Sequence, residues 1–430
     1  MRLVYSAIFY LALPFILLRM LWRSRLAPAY RHRLSERFGF VHSAGLGSGA
    51  PVIWVHAVSV GETIAAAPVI ETLLARYPEH RLVVTTTTPT GSDRVKALFG
   101  ERVFHCYAPW DLPGATSRFI AAVKPELLVI METELWPNLL HHCARSGCPV
   151  VLANARLSER SARGYARIAS LTRPMLQHLH TVACQSAPDG ERFITLGLPA
   201  DRLQVTGSIK FDLGLSQGLI DEARALDAEL NGDQRTVVVA ASTHPGEDEQ
   251  LLEAFQHLKA TVDSALLVLV PRHPERFKAV YEMAVRAGWQ VRRRSVGGLV
   301  ELADDVLIGD TMGELLILLG AADIAVMGGS LVEHGGHNVL EPAVWGVPVI
   351  TGPHMFNFEE ISQLLMAAGA MEMMDDPAKL TETLVSLALD PQRRATMGDA
   401  GRRVVDQNRG AKERLVGVLA AVYPPPEDAA

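Results

Sequence analysis

The chain has 430 residues, which at roughly 150 residues per domain predicts two or three domains with large cores. Hydrophobic residues make up 49% and charged residues 20%, so the composition excludes a disordered chain, and a single long apolar stretch excludes a multi-span membrane protein. The net charge of −6 argues against a general nucleic-acid binder, and we expect no nucleic-acid partner. The four cysteines lie at no zinc-like spacing and predict buried free thiols.

The amino terminus carries the long apolar stretch. Residues 3–18 contain no charge, and six arginines follow between residues 19 and 37. Because positively charged flanks stay in the cytoplasm, we predict a membrane anchor over residues 1–25 with its amino terminus outside. A helix lying in the membrane surface is one alternative. A cleaved signal peptide is another, although its charges normally precede the apolar run.

The rest of the chain alternates short apolar runs with amphipathic stretches, as expected for buried parallel strands joined by helices. Six strands are predicted first, at 51–56, 82–87, 127–131, 149–153, 181–185 and 203–206. After a stretch without strand character, five more are predicted at 236–240, 266–270, 305–308, 323–327 and 347–350. Residues 391–422 indicate two helices broken near Gly410. The pattern predicts an α/β protein of two doubly wound Rossmann-like domains, with its ligand in the cleft between them.

Acidic residues follow two strands of the first series. After the first strand, Ser59 and Gly61 allow a tight turn, and Glu62 falls in the first turn of a helix predicted over 62–76. A carboxylate there complements the helix dipole by about 0.3–1 kcal/mol, and position alone favours that structural interpretation. Glu132 and Glu134 follow the third strand, where they suit recognition of hydroxyls or a cation, or a capped turn.

Glycines and cations follow strands of the second series. Gly335 and Gly336 precede a helix predicted to begin near His337, and such glycines let backbone N–H groups approach a phosphate. Asn338 and Glu341 share one face of that helix, where a carboxylate can accept both hydroxyls of a ribose. The same strand-end pattern recurs in Asp310–Leu315, and Arg272–His273 supplies a cation. Together these segments favour a nucleotide site.

Several common site types are not expected. His334 and His337 flank two glycines, which disfavours a rigid helix carrying metal ligands, and neither His-Glu-x-x-His nor Asp-x-Asp occurs. The P-loop, Gly-x-Gly-x-x-Gly and Gly-x-Ser-x-Gly patterns are also missing from the sequence. We therefore expect no metal and no cofactor.

Seven segments in order give the chain a family resemblance. They are RFG (37–39), HAVSVGE (56–62), METELWPN (131–138), NARLS (154–158), KFD (210–212), DTMGEL (310–315) and GGHNVLEP (335–342). With them the chain resembles the 3-deoxy-D-manno-octulosonic acid (Kdo) transferases of lipopolysaccharide biosynthesis, from the amino-terminal segment to about residue 405. The set in this order is far more specific than any one segment.

The resemblance implies a GT-B fold and an inverting, metal-independent glycosyltransferase. Such an enzyme transfers Kdo from CMP-Kdo to a lipid A precursor of the lipid IVA type, at the cytoplasmic face of the inner membrane. It implies an acceptor-binding domain over 26–212, a CMP-sugar-binding domain over 213–405, and a helix and tail over 406–430 that pack back on the first domain.

The resemblance also implies roles for individual residues. Glu62 matches the general base that takes the proton from the acceptor hydroxyl. The nucleotide-binding residues would be Arg272, His273, Met312, Gly313, Glu314, Gly335, Gly336, Asn338 and Glu341. The acceptor-binding residues would be Arg37, Ser59, Gly61, Glu132 and Lys210.

Three other functions remain open from the sequence. A different GT-B enzyme, either a nucleotide-sugar transferase or a 2-epimerase, would prefer UDP to CMP. A periplasmic solute-binding protein would need a cleaved leader. A membrane scaffold without catalysis would bind no nucleotide. The number of Kdo residues transferred and the acylation of the acceptor leave no mark in these motifs.

Overall fold

The computed structural model describes residues 1–25, 27–41, 49–231 and 235–426. The chain divides into two compact units, which we call unit 1 (residues 1–212 with 409–430) and unit 2 (residues 213–408). Unit 2 ends at residue 408, three residues after the end predicted for the second domain at residue 405. Residues 409–430 thus belong to the unit formed by the amino-terminal half.

Unit 1 contains a parallel sheet of seven strands. In chain order these are β1 (Val52–His56), β2 (Arg81–Thr86), β3 (Phe104–Tyr107), β4 (Pro125–Met131), β5 (Val150–Ala155), β6 (Thr181–Cys184) and β7 (Leu203–Val205). Their order in the sheet is β3-β2-β1-β4-β5-β6-β7. The order reverses between β1 and β4, and ligands of open α/β sheets bind beside the carboxyl ends of strands at such a switch point.

Helices precede and connect the strands of this sheet. They are α1 (Arg2–Arg23), α2 (Leu34–Arg37), α3 (Val60–Arg76), α4 (Pro89–Phe99), α5 (Pro113–Val123), α6 (Pro137–Ser146), α7 (Glu159–Arg167), α8 (Ala169–Leu176) and α9 (Ala187–Thr195). Successive residues of β1 enter different cores, since Trp54 belongs to one apolar cluster and Ile53 and Val55 to the other. Burial on both faces explains why these strands are continuously apolar.

Unit 2 contains a second parallel sheet of seven strands. They are β8 (Val237–Thr243), β9 (Leu266–Pro271), β10 (Val291–Arg293), β11 (Val306–Ile308), β12 (Ile324–Met327), β13 (Val349–Thr351) and β14 (Met371–Met373). The order in the sheet is β10-β11-β9-β8-β12-β13-β14, which places the switch point between β8 and β12.

The helices of unit 2 surround this sheet. They are α10 (Gln217–Asn231), α11 (Asp248–Thr261), α12 (Phe277–Arg286), α13 (Leu315–Gly320), α14 (Leu340–Trp345), α15 (Glu359–Ala367), α16 (Pro377–Leu389) and α17 (Pro391–Asn408). The last helix of the chain, α18 (Ala411–Val422), packs against α3, β5 and β6 of unit 1. Gly410 separates α17 from α18 with a φ of 83°, so the predicted break is confirmed.

Two doubly wound α/β units confirm the predicted fold class, but four details of the prediction were wrong. The strands β3, β10 and β14 were missed, and each lies at an edge of its sheet. An edge strand is buried by fewer neighbours, so its sequence need not be continuously apolar, as Arg292 and Arg293 of β10 illustrate. The helix predicted near His337 begins at Leu340 and is only six residues long.

One helix in the described part of the chain is long and apolar enough to cross a membrane, and it is α1. It extends five residues beyond the uncharged run 3–18, to Arg23. Only 6% of its apolar window is buried against the rest of the protein.

Candidate active site

Glu62 lies at the carboxyl end of β1, in the first turn of α3. Ser59 caps the helix, because its Oγ accepts the Glu62 N–H at 3.3 Å. The Glu62 carboxylate accepts the Val58 N–H at 2.8 Å and the Ser59 hydroxyl at 3.0 Å. Ser59 and Glu62 form a variant of the capping box, which supports the interpretation of Glu62 as a residue that stabilises the helix start.

A second property of Glu62 goes beyond capping. Its side chain is 9% exposed, and burial raises its pKa to about 7. The two accepted hydrogen bonds oppose that rise, while the carboxylates of Glu134 and Glu132 add to it. A solvent-exposed carboxylate at a helix start has its pKa lowered by the N–H groups that it accepts, so capping does not explain the rise. This one is poised to take up a proton near neutral pH.

The neighbouring carboxylates come from the other side of the switch point. Glu132 directly follows β4 with a φ of 56°, a left-handed conformation that is strained for a residue with a side chain. Glu134 accepts the Trp136 indole N–H at 2.9 Å, and burial raises its pKa. The two strand-end acids Glu132 and Glu134, both noted in the sequence, thus meet Glu62 at one edge of the sheet.

Lys210 belongs to a short 3₁₀ turn that is tied to the same edge. The turn, Ile209–Phe211, is held by Asn154 at the end of β5, whose Oδ1 accepts the Ile209 N–H at 3.1 Å. Asn154 is fully buried and has a φ of 52°. The NARLS and KFD segments, far apart in sequence, therefore meet in one local structure.

Arg37 is buried, with 4% of its surface exposed, which its predicted acceptor-binding role does not anticipate. Its guanidinium lies over the Tyr107 ring and donates to the Thr87 carbonyl at 2.9 Å. Thr87 in turn donates its N–H to the Val58 carbonyl at 3.1 Å. Arg37 thus supports the loop that carries Glu62, and a role in acceptor binding stays a prediction.

Four histidines gather at the carboxyl ends of the strands in unit 2, and the sequence did not reveal this. His244 follows β8 and stacks on His334 with ring centroids 4.1 Å apart. Its Nε2 lies 2.9 Å from Nε2 of His337, so one of the two rings donates to the other. His273 meets His244 edge to face at 5.5 Å. Burial and neighbouring positive charge lower the pKa of His244 and His337 to about 4.

The predicted ribose-binding pair lies beside these histidines. Asn338 Nδ2 donates to Glu341 Oε1 at 3.3 Å, so the two side chains converge although only Glu341 is helical. Burial raises the pKa of Glu341, while Asn338 and the charge of Arg272 oppose the rise. Arg272, Asn338 and Glu341, all predicted nucleotide-binding residues, are therefore brought together around the switch point of unit 2.

The two predicted glycines before α14 have a packing role. A Cβ on Gly335 would lie 2.4 Å from the Phe356 ring, and one on Gly336 would lie 2.2 Å from the Met355 sulfur. The Gly336 N–H donates to the Gly329 carbonyl at 2.7 Å, so this N–H is already used by the fold. These glycines let the segment fold back on itself, and phosphate binding by them stays a prediction.

The third predicted nucleotide-binding segment follows β11. Met312 is 67% exposed and Gly313 has a φ of 88°. Glu314 accepts from the Thr311 hydroxyl at 2.6 Å and from Arg294 at 3.1 Å, and the Thr311 and Arg294 bonds lower its pKa despite burial. The segment presents a methionine and a backbone turn to solvent, while its carboxylate is held within the fold.

Glu247 is a structural residue that the sequence reasoning missed. It is fully buried, and its carboxylate accepts the N–H groups of four residues at 2.7–3.1 Å: His244, Gly329, Ser330 and Leu331. It thereby joins the loop after β8 to the loop after β12. A proline-glycine turn followed by two acids, residues 245–248, was the available signal.

No group of three or more histidine, cysteine, aspartate or glutamate side chains in the described part of the chain has a geometry that could hold a metal ion. The four cysteines are buried and free, as expected.

Comparison with known proteins decides the family. A family model described as 3-deoxy-D-manno-octulosonic-acid transferase (kdotransferase) matches residues 32–213. The 3-deoxy-D-manno-octulosonic acid transferase of Haemophilus influenzae is 43% identical over 97% of this chain and 98% of its own length. The chain belongs to the Kdo transferase family. The Kdo transferase of Bordetella pertussis is 38% identical over 89% of this chain and 90% of its own.

The fold has relatives outside the Kdo transferases. The UDP-GlcNAc 2-epimerase of Neisseria meningitidis, solved with UDP-GlcNAc, matches with a TM-score of 0.57 over 86% of this chain and all of its own. Its sequence is 15% identical, so it shows the GT-B fold and nothing about the reaction. The predicted family and fold are therefore confirmed, and this Kdo transferase is a glycosyltransferase of lipopolysaccharide biosynthesis.

Proposed function

We propose that the protein transfers Kdo from CMP-Kdo to a lipid A precursor of the lipid IVA type, with inversion at the anomeric carbon and without a metal ion. The observation that carries this proposal is Glu62, a buried carboxylate at the switch point of unit 1 with a pKa of about 7. An acid of that pKa is half-ionised near neutral pH, where a general base is most effective.

Glu62 would act on the acceptor hydroxyl. As the hydroxyl oxygen attacks the anomeric carbon of Kdo, its proton passes to the Glu62 carboxylate. The bond between that carbon and the phosphate oxygen breaks, and CMP leaves with the electron pair. Attack from the face opposite the leaving group inverts the anomeric centre. Ser59, Gly61, Glu132 and Lys210, at the same edge of the sheet, would hold the acceptor sugar.

Unit 2 would hold the donor. Glu341 and Asn338 would accept and donate hydrogen bonds to the ribose hydroxyls. Arg272, with His273 beside it, would stabilise the phosphate as its charge grows during departure. Met312 and Gly313 would contact the rest of the nucleotide. In this scheme cationic and N–H donors take the place of a metal ion at the leaving group.

The enzyme would work at the cytoplasmic face of the inner membrane. Its lipid acceptor resides in a membrane, and α1 offers an exposed apolar surface followed by arginines that attract anionic lipid. The membrane is therefore a proposed partner together with CMP-Kdo and the lipid A precursor.

The direct test is a transfer assay with purified protein, CMP-Kdo and a tetra-acylated lipid A precursor. We expect product masses increased by one or more Kdo residues, and activity that persists in a chelator. CMP should compete and UDP should not. No transfer from CMP-Kdo, or equal inhibition by UDP, would overturn the proposal.

Glu62→Gln tests the assigned base. The substitution keeps the shape, and its amide oxygen can still accept the Val58 N–H, but it removes the ability to take a proton. We expect kcat to fall by roughly 10²–10⁴-fold with unchanged CMP affinity. Glu79→Gln, at an exposed site of the same unit, is the matched control and should retain full activity. A Glu62→Gln enzyme within tenfold of the parent would show that the base lies elsewhere.

A further inference from the structure

The amino-terminal helix α1 is joined to the folded part of unit 1 at both of its ends. At the first turn, Arg2 Nη1 donates to Asn138 Oδ1 at 3.0 Å, and Asn138 Nδ2 donates to Ser6 Oγ at 3.1 Å. Beyond the last turn, Arg31 Nε donates to Ser24 Oγ at 2.6 Å. The start of the helix therefore contacts a segment 136 residues away in the chain, while its end contacts the segment that follows it.

The contact at the first turn is a buried polar socket. Asn138 is fully buried and Asp111 is 3% exposed. The Asp111 carboxylate accepts the N–H groups of Asn138 and Leu139 at 3.0 and 2.8 Å, and the Asn138 amide donates to the Asp111 carbonyl at 2.7 Å. Every polar group in this socket has a partner, so it fixes the start of α1 to the start of α6.

This attachment is incompatible with a helix that crosses the bilayer. A helix of the length of α1 extends for about 33 Å, roughly the thickness of the hydrocarbon core. If α1 spanned, Arg2 would lie at the opposite face of the membrane from the domain that contains Asn138. The socket could then not form.

The outward surface of α1 is apolar along its whole length. Eight large apolar side chains are between 49% and 76% exposed: Leu3, Val4, Ile8, Leu11, Phe15, Leu18, Leu21 and Trp22. An apolar surface of that extent is characteristic of a membrane or protein contact.

The same unit carries a basic helix, α7. Ala162 and Tyr165 of helix α7 are partly buried against the core of unit 1, while Arg160, Arg163 and Arg167 form an exposed stripe on its other side. These arginines have no ion pair with any residue in the described ranges.

We propose that α1 lies in the plane of the membrane surface and does not cross it, held at its start by the Asp111–Asn138 socket, and that the α7 arginine stripe of the same unit binds anionic lipid headgroups. Such an arrangement is that of an interfacial helix with basic charge in the same unit. The inference rests on the proposed membrane association and replaces the predicted spanning anchor.

The arrangement would place the lipid surface near the general base. Asn138 ends the METELWPN segment, whose Trp136 binds Glu134, and the Glu134 carboxylate helps to raise the pKa of Glu62. One continuous stretch of chain thus connects the attachment of the helix to the acidic cluster, so a lipid-embedded acceptor would reach Glu62 without leaving the membrane.

The first test is the location of the amino terminus. A short peptide with a protease site is fused ahead of Met1 of the full chain, and protease is applied to spheroplasts and to inside-out membrane vesicles. We expect cleavage only in the inside-out vesicles. Cleavage only from the outside of spheroplasts would overturn the inference while leaving membrane association intact. Recovery of the protein in the soluble fraction would instead overturn the proposed membrane association.

The second test is charge reversal of the stripe. Arg160→Glu, Arg163→Glu and Arg167→Glu are combined in one variant. The matched control reverses three exposed arginines on other helices, Arg76, Arg94 and Arg224. We expect the stripe variant to bind vesicles of phosphatidylglycerol and phosphatidylcholine at least on the order of 100-fold more weakly than the parent.

The control should bind those vesicles as the parent does, and both variants should keep their activity on detergent-dispersed acceptor. Equal weakening in the two variants would show that only net charge matters and would overturn the assignment of the stripe. Loss of activity in detergent by the stripe variant alone would do the same, because α7 would then act in catalysis.

Discussion

At the scale of single residues, two carboxylates at strand ends show how surroundings set the affinity for a proton. Burial and two neighbouring acids raise the pKa of Glu62 to about 7, although the hydrogen bonds from Val58 and Ser59 lower it in part. Burial alone would also raise the pKa of Asp310, but Ser295 and Arg293 donate to it and hold it below its ordinary value. The first is suited to exchange a proton and the second to stay charged as a structural link.

The raised pKa of Glu62 predicts a pH profile. The base must be ionised, so kcat/KM should fall as the pH drops below about 7. Because the Glu134 charge disfavours ionisation of Glu62, Glu134→Gln should move this acidic limb to lower pH. The limb is measured by transfer rates between pH 5 and 9. In the control Glu79→Gln the acidic limb should stay in place. If it also stays in place in Glu134→Gln, another group is responsible for the limb.

Glu247 predicts an effect on stability. Glu247→Ala would leave four buried N–H groups without their acceptor, each costing about 1–3 kcal/mol when unpaired. We expect the free energy of unfolding to fall by at least about 3 kcal/mol in urea titrations, and CMP affinity to fall with it. Glu253→Ala, exposed on helix α11 that begins directly after Glu247, is the control and should change the unfolding free energy by less than about 0.5 kcal/mol.

At the scale of elements, helix α14 is positioned by close backbone contact. It is only six residues long, yet it carries Glu341. Helix α17 packs against it, and a Cβ on Gly398 of α17 would lie 1.8 Å from the Gly346 carbonyl oxygen at the end of α14. A short helix gains little stability from its own hydrogen bonds, so such packing determines where Glu341 sits.

Two glycine substitutions of the same kind should therefore have opposite effects. Gly398→Ala forces α17 away from α14, and we expect it to destabilise the protein by about 1–3 kcal/mol and to weaken CMP binding. Gly417→Ala, in α18 with no atom near the new Cβ, should stabilise by about 0.5–1 kcal/mol through helix propensity. Thermal unfolding measures both. Stabilisation by Gly398→Ala would contradict the close contact.

At the scale of the whole molecule, the carboxyl-terminal helix completes the core of unit 1. The chain leaves that unit after Asp212 and returns to it at Arg409. Asp212 marks this return, because its carboxylate accepts the N–H groups of Gly410 and Lys412 at 2.6 and 2.5 Å. The aspartate of the KFD segment thus caps α18.

Loss of this closure should destabilise unit 1. Asp212→Ala removes the cap and should cost about 1–2 kcal/mol in urea unfolding, whereas the surface substitution Glu413→Ala should cost less than about 0.5 kcal/mol. Deleting residues 409–430 removes four large buried side chains, Leu415, Val416, Val418 and Leu419, worth roughly 6–12 kcal/mol of burial. We expect rapid proteolysis of unit 1 in that deletion. A protease-resistant unit 1 would contradict a structural role for α18.

The sequence by itself determined the family, the class of fold and most central strands. Strands buried on both faces must be apolar at every position, so β1, β4, β8 and β9 are visible as short apolar runs. Strand-end acids and glycines mark the switch points and made Glu62, Asn338 and Glu341 candidates, while the general-base role of Glu62 came only from the family resemblance. These features are local, since each depends on neighbours within a few residues of the chain.

Only the tertiary structure decided the rest, because contacts between distant segments leave no local pattern. The pKa of Glu62 depends on Glu134, which is 72 residues away in the chain and follows a different strand. The pairing of His244 with His337 and the binding of Asp212 to α18 likewise join strand ends or helices that only folding brings together. The apolar run of α1 indicated a membrane helix, but only the contact of Arg2 with Asn138 distinguishes a helix on the membrane surface from one across it.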